Sequence, residues 1–259
     1  MALPDSQSCE QVIIGGLPVA RLTAAELAHI MVHDCLEARQ KEQLPKLVFS
    51  SNGQCISLAG SSPEFSDTIK RADIIHADGM SVVLASWLLG RKSLPERVAT
   101  TDFFHVAAKS GETNGLRFYL LGGQEEINAK AYARAKQLYP KLHWVGRHHG
   151  YFAGHEVDVL CEKIRATKPD VLWVGLGRPG QENFAVQNCE KLVGIGWIKT
   201  CGGLFDFMAG EKKRAPVWMQ HAGFEWAWRM IQEPQRLIPR YAFTNLHALW
   251  RLVLYTKKE

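Results

Sequence analysis

The chain has 259 residues, of which 46% are hydrophobic, with a net charge of +5. That composition excludes a largely disordered chain and suits one large α/β domain, or a core with a small appendage. Residues 1–11 (MALPDSQSCEQ) lack the basic and apolar parts of a secretory leader, and no window approaches the ~18 apolar residues of a membrane span, so the expected place is the cytoplasm or its membrane surface.

In chain order, VIIGGLPVARL (12–22) reads as a short strand and turn. Thr23 is placed to cap a helix over about 24–39, and Glu26 three residues on completes a capping-box spacing. KLVFS (46–50) reads as a buried strand ending in the polar turn Ser51–Asn52–Gly53. A helix over 63–71, a short strand in ADIIHADGM (72–80) and an apolar helix over 81–89 follow. RFYLLGG (117–123), HWVG (143–146), PDVLWVG (169–175) and WIKT (197–200) are further strands, with helices over 125–138 and 156–167 between them. Strand, glycine turn, helix, strand is βαβ logic, and it predicts an α/β, Rossmann-like, mainly parallel sheet with helices on both faces. Ligands of such sheets bind beyond the carboxyl ends of the strands.

Beyond about residue 210 the character changes. Residues 211–259 hold nine Lys and Arg against four Glu and half of the chain's tryptophans (Trp218, Trp226, Trp228 and Trp250). We read 1–210 as the core and 211–259 as a helical appendage broken near Pro234 and Pro239. A basic, tryptophan-rich tail suits an anionic membrane surface. No nucleic-acid-binding motif accompanies the charge, so nucleic acid is not the expected partner. The six cysteines are scattered without metal-ligand spacing and read as thiols, not as a zinc site or disulfide framework.

The glycines that end the strands, Gly122–Gly123, Gly177 and Gly202–Gly203, are predicted to share one edge of the sheet. There their amides can approach a phosphate. In the loop GRPGQE (177–182), Gln181 is a candidate to hold a sugar or base edge. Asp78, at a strand end beside Gly79, is placed to act as a general base, although a turn-shaping role explains the same position locally. Its neighbour His76 is another possible base, but as one of ten histidines it reads as packing or surface. Arg97, in a charged cluster with Glu96 and Asp102, is a candidate phosphate ligand or a surface ion pair. The sequence contains no Asp-x-Asp, and no metal or other cofactor is expected. The charge of a departing diphosphate must then be met by arginines, lysines and helix ends, the tail arginines among them.

In their order and spacing, ADGM (77–80), ERVATTD (96–102), YLLGG (119–123), GYF (150–152), PDVLWVGLGRPGQE (169–182), CGGLFDFMAG (201–210), RAPVWMQ (214–220) and FEWAWRM with EPQRL (224–237) resemble the WecG/TagA/CpsF family of bacterial glycosyltransferases, glycosyltransferase family 26. The resemblance implies an inverting, metal-independent transfer from a UDP-sugar donor to a polyprenyl-diphosphate-linked sugar, serving cell-surface polysaccharide or exopolysaccharide synthesis. By the same resemblance Asp78 is the base, Ser50 and Asn52 match a Thr-x-Asn substrate motif, and Arg97 and Gln181 match substrate-contacting positions. Arg214, Arg229 and Arg236 fall in a C-terminal appendage that closes over the site at the inner face of the cytoplasmic membrane. Three positions depart from the family pattern: Ser50 replaces a usual threonine, Thr100 a common glycine, and Gly180 a longer side chain. A non-catalytic nucleotide-binding module docking on membrane assembly proteins is the rival reading. A dinucleotide-dependent oxidoreductase is disfavoured by the missing GxGxxG.

Overall fold

A computed structural model describes residues 9–257, apart from the side chains of His221, Arg236 and Arg240. Most of the stretch read above as lacking a leader, and the side chain of Arg236, thus lie outside the described residues. The chain opens with an antiparallel hairpin, β1 (Gln11–Ile14) and β2 (Leu17–Ala20). Thr23 then starts α1 (Ala24–Lys41) as its spacing predicts. Its hydroxyl accepts the Glu26 amide at 3.2 Å, and the Glu26 carboxylate accepts the Thr23 amide at 2.8 Å. Two amides that a helix start leaves orphaned are thereby satisfied.

Six strands follow: β3 (Lys46–Ser51), β4 (Ile74–Ala77), β5 (Arg117–Gly122), β6 (His143–His148), β7 (Val171–Gly175) and β8 (Trp197–Thr200). They form one sheet in the order β4-β3-β8-β7-β5-β6, every pairing parallel. Between β3 and β5 lie α2 (Gly53–Ser61), α3 (Pro63–Lys70), α4 (Met80–Leu89) and α5 (Thr100–Asn114). Then come α6 (Glu125–Leu138), α7 (Val157–Ala166), α8 (Gly180–Asn188) and α9 (Leu204–Met208). The inner strands are buried on both faces, hence their continuous apolar runs. One face packs on α2, α3, α4, α7 and α8. The other packs on α1, α5, α6 and α9 around the fully buried Trp173 and Trp197. Asp170, just before β7, has no solvent exposure. It accepts from Arg39 Nε at 2.8 Å, from Arg117 Nη2 at 2.9 Å and from the Arg117 amide at 2.6 Å, joining α1, β5 and β7.

Two readings are corrected. The segment read as a mere turn at 51–53 leads straight into α2, with Asn52 as its cap: Asn52 Oδ1 accepts the Cys55 amide at 3.0 Å. The tail is α10 (Val217–His221), α11 (Glu225–Gln232) and α12 (Pro234–Tyr255). It breaks before Pro234, which opens α12, but not at Pro239, which lies inside that helix. Pro239 falls in the second turn, where its missing amide removes one bond near the helix end and leaves the long remainder intact. α12 lies along α2 and buries Leu252 in the core, and Ser57 Oγ pairs with His247 Nδ1 at 3.0 Å. Arg251 Nη2 donates to the Gly15 carbonyl at 3.2 Å. At its end the chain meets the first hairpin: the Gly16 amide donates to Tyr255 O at 2.9 Å and the Lys257 amide to Ile13 O at 3.0 Å. Among the described residues, no helix is long and apolar enough to cross a membrane.

Candidate active site

The carboxyl edge of the sheet opens into a cleft of about 580 Å³. Four helices begin at it. The N-cap residues of α5, α6, α8 and α9 make no side-chain cap of their own, and Thr100, Gln124, Gln181 and Gly203 at these starts line the cleft. Several of their first amides are already engaged, Thr100 by the Asp78 carboxylate, Gln181 by the Gly177 carbonyl and Leu204 by the Cys201 carbonyl, so what these starts offer the cleft is chiefly the positive dipole end, which favours an anion. The floor is glycine by necessity. Gly122 has φ 134°, and a Cβ there would stand 2.3 Å from the Gly175 carbonyl oxygen. Gly122 thus lies beneath the cleft and does not line it. Gly123, Gly177, Gly202 and Gly203 do.

Asp78 follows β4 and faces the cleft. Its Oδ1 accepts the Thr100 amide at 2.7 Å and its Oδ2 the Asn52 side-chain amide at 3.3 Å. Arg97 Nε donates to its main-chain carbonyl at 2.8 Å. Burial pushes this carboxyl up. The Arg97 charge and the Thr100 amide, with a smaller contribution from Arg229, outweigh that and hold it well below the ordinary carboxylate range. Asp78 is therefore an ionised carboxylate with room for one more donor. His76, one residue before Ala77 on β4, is 1% exposed and its ring lies 6.1 Å from that of Phe103, so it packs beneath the cleft. Burial, then the Lys199 charge, push it far down, and it stays neutral. Cys201 lines the cleft, but burial pushes its thiol up to about 12, which removes it as a nucleophile near neutrality.

Arg178 occupies the middle of the wall, in the same loop as Gln181. Its Nε donates to Glu182 Oε1 at 2.9 Å, Nη1 to Asn52 Oδ1 at 3.1 Å and Nη2 to the Ser50 carbonyl at 2.7 Å. Asn52 thus joins Arg178 on one side to Asp78 on the other. Ser50 is buried, its hydroxyl 3.5 Å from Arg178 Nη2. Gln181 is 3% exposed, and both ends of its amide are engaged: Nε2 donates to Glu182 Oε1 at 2.9 Å, and Oε1 accepts the Gly202 amide at 2.9 Å. It fixes the β8 glycine turn against α8. A side chain at Gly180 would meet nothing within 4 Å, so the glycine there leaves open space.

The tail supplies the remaining wall through Lys212, Arg229, Gln232, Glu233 and Leu237. The Arg229 guanidinium lies 5.0 Å over the Phe207 ring. Lys212 is paired with Glu233 at 2.8 Å and with Asp206 at 3.4 Å. Arg214 stands one layer back and does not line the cleft. Its Nη1 donates to Thr101 Oγ1 at 2.5 Å and to Asp102 Oδ1 at 2.8 Å, and Nη2 donates to Gln220 at 2.6 Å. The charged cluster read at 96–102 is split: Glu96 accepts the Ala24 amide at 2.6 Å, Asp102 pairs with Arg214, and Arg97 turns to the cleft.

Of the residues singled out in sequence, the fold brings Ser50, Asn52, Asp78, Arg97, Gly123, Gly177, Gln181, Gly202, Gly203 and Arg229 into one cleft. A family model, that of the glycosyl transferase WecG/TagA/CpsF family, matches residues 12–259. The chain belongs to that family. Glycosyltransferase chemistry on lipid-linked sugars is therefore its activity class. Two features of the cleft went unread. The Arg178–Glu182 ion pair has the i,i+4 spacing that signals such a pair, and Glu225 and Arg229 repeat it. Nothing local in the sequence marks Gln54, which also lines the cleft, and Tyr151, in the GYF segment, was not singled out as a site residue.

Proposed function

We propose that the chain transfers a hexose or N-acetylhexosamine from a UDP-sugar to a polyprenyl-diphosphate-linked sugar, with inversion and without a metal ion, at the inner face of the cytoplasmic membrane, in polysaccharide synthesis. The observation that carries this reading is the meeting, in one cleft, of the Asp78 carboxylate, the guanidiniums of Arg97 and Arg229 and several helix starts. In this reading Asp78 removes the proton of the acceptor hydroxyl as its oxygen attacks the anomeric carbon. The bond from that carbon to the diphosphate oxygen breaks, and UDP leaves with the bonding pair. Arg97, Arg229 and the helix ends meet its charge, the task that a metal performs elsewhere. Gln181 holds the glycine turn to which the donor is presented.

Calorimetric titration with UDP in EDTA tests the donor assignment, with NADH as control. Saturable UDP binding and none to NADH is expected. No UDP binding, either free in solution or with lipid vesicles present, would remove the donor assignment.

We assign residues 1–210 to catalysis and 211–259 to membrane contact and closure. The support is the outward face of α12, where Phe243, Leu246, Leu249, Trp250 and Val253 are all exposed, Phe243 by 81%. Leu88 on α4 is 80% exposed, and α4 meets the tail where Gly223 nears Met80. A contiguous apolar surface on a polar protein marks an interaction site. Replacing Leu246, Leu249 and Val253 together by serine is expected to cut vesicle co-sedimentation by at least about tenfold, each methylene kept out of lipid costing roughly 0.8 kcal/mol. UDP binding is expected to remain unchanged. Equal sedimentation of variant and parent would refute the membrane role of this face.

A further inference from the structure

We propose that Glu225 is a positioning residue that makes closure of the helical tail depend on the charge of the donor's diphosphate, an inference that rests on the donor reading above. Glu225 opens α11, and its carboxylate is 8% exposed. It gathers three guanidiniums from three segments. Oε2 accepts from Arg97 Nη2 at 2.5 Å; Oε1 lies 3.2 Å from Arg214 Nε and 3.6 Å from Arg229 Nη2. Arg97 belongs to the core, Arg214 to the segment after α9, and Arg229 to α11 itself. Arg97 and Arg229 line the cleft, and Glu225 stands behind them.

Three cations so close repel one another, and a single shared carboxylate lets them converge. The convergence is nevertheless incomplete. Glu225 Oε1, Arg214 Nε and Arg229 Nε are buried without a hydrogen bond. Beyond the Arg97–Glu225 bond, charge holds this seam together while these three atoms lack directional bonds, which is costly for buried groups. A diphosphate in the cleft would offer Arg97 and Arg229 further oxygens, in the geometry that guanidiniums favour. Binding of the donor and closure of the tail then reinforce each other, and the coupling is reciprocal. Arg97 also donates to the Asp78 carbonyl, so the same seam holds the loop that carries the base.

The test is limited trypsin digestion at Lys212 and Lys213, with and without UDP, on the parent chain, Glu225→Gln and Glu225→Asp. Thermal melting and donor kinetics accompany it. Glu225→Gln keeps the shape and removes the charge. It is expected to be cut there about tenfold faster than the parent without ligand, and to show a donor KM raised about tenfold with a smaller change in kcat. Glu225→Asp, which keeps the charge, recovers part of both effects. UDP protects the parent more than Glu225→Gln. Equal cleavage of parent and Glu225→Gln without ligand, or an unchanged donor KM, overturns the proposal. So does a Glu225→Gln chain that melts early and is cut throughout, since that marks a purely structural residue. UDP that binds in the calorimeter but protects neither chain overturns the coupling while leaving the donor assignment standing.

Discussion

Asp78→Asn is expected to lower turnover by roughly 10²–10⁴-fold, the range for loss of a positioned general base, with UDP binding retained. The substitution keeps an oxygen to accept the Thr100 amide, so the loop keeps its main restraint. What it removes is the charge that accepts a proton. Full activity in this variant would take Asp78 out of the chemistry. The pH dependence adds a second check. In the free protein Arg97 holds Asp78 well below the ordinary carboxylate range against the opposing effect of burial, so the base stays competent far into acid. A diphosphate beside Arg97 and Arg229 offsets their pull and raises the carboxyl. Protonation removes the base, so activity is lost as pH falls through its pKa. The acid limb of kcat, which reports the complex, is expected at higher pH than that of kcat/KM, which reports the free protein. Coincident limbs would mean that the guanidiniums do not meet the donor.

Arg178→Met is expected to cost about 3–5 kcal/mol of stability, the penalty for stripping a buried charge of its partner. Glu182 has no solvent exposure, and Arg178 is its ion-pair partner among the described residues. Removing the guanidinium also frees Asn52 Oδ1 and the Ser50 carbonyl of their donor. A lowered urea midpoint at unchanged slope is the signature sought. The double variant Arg178→Met, Glu182→Gln is expected to recover part of the loss, because the orphaned charge is then gone. A single variant within about 1 kcal/mol of the parent would show that water reaches Glu182 and that the pair is an ordinary exposed one.

The sheet was legible because its signals are local. Apolar runs ending in glycine marked β5, β7 and β8, and a threonine three residues ahead of a glutamate marked the start of α1. α2 escaped because GQCISLAGS is poor in helix formers, and its Asn52–Gly53 start looks like a turn. It is a helix because Cys55, Ile56 and Ala59 bury against the sheet. α5 was hidden in the same way, since two threonines open it and charges surround it. Its Phe103 and Phe104 are fixed by the core. The cleft was legible in its members but not in its wiring. Asp78, Asn52 and Arg97 stood out as residues. The line from Glu182 through Arg178 and Asn52 to Asp78 depends on which strands are neighbours, and only the parallel register of β3 and β4 brings Ser51 beside Ala77.

The contact between Arg251 and Gly15 joins positions 236 residues apart. Loop-closure entropy grows only slowly with length, so the finished contact is cheap to keep. It is slow to find, because a parallel sheet must assemble before α12 has a surface to rest on. During that interval two apolar surfaces stand open: the groove over α2, and the helix that will fill it. Newly made chains are thus expected to be most prone to clump before α12 docks.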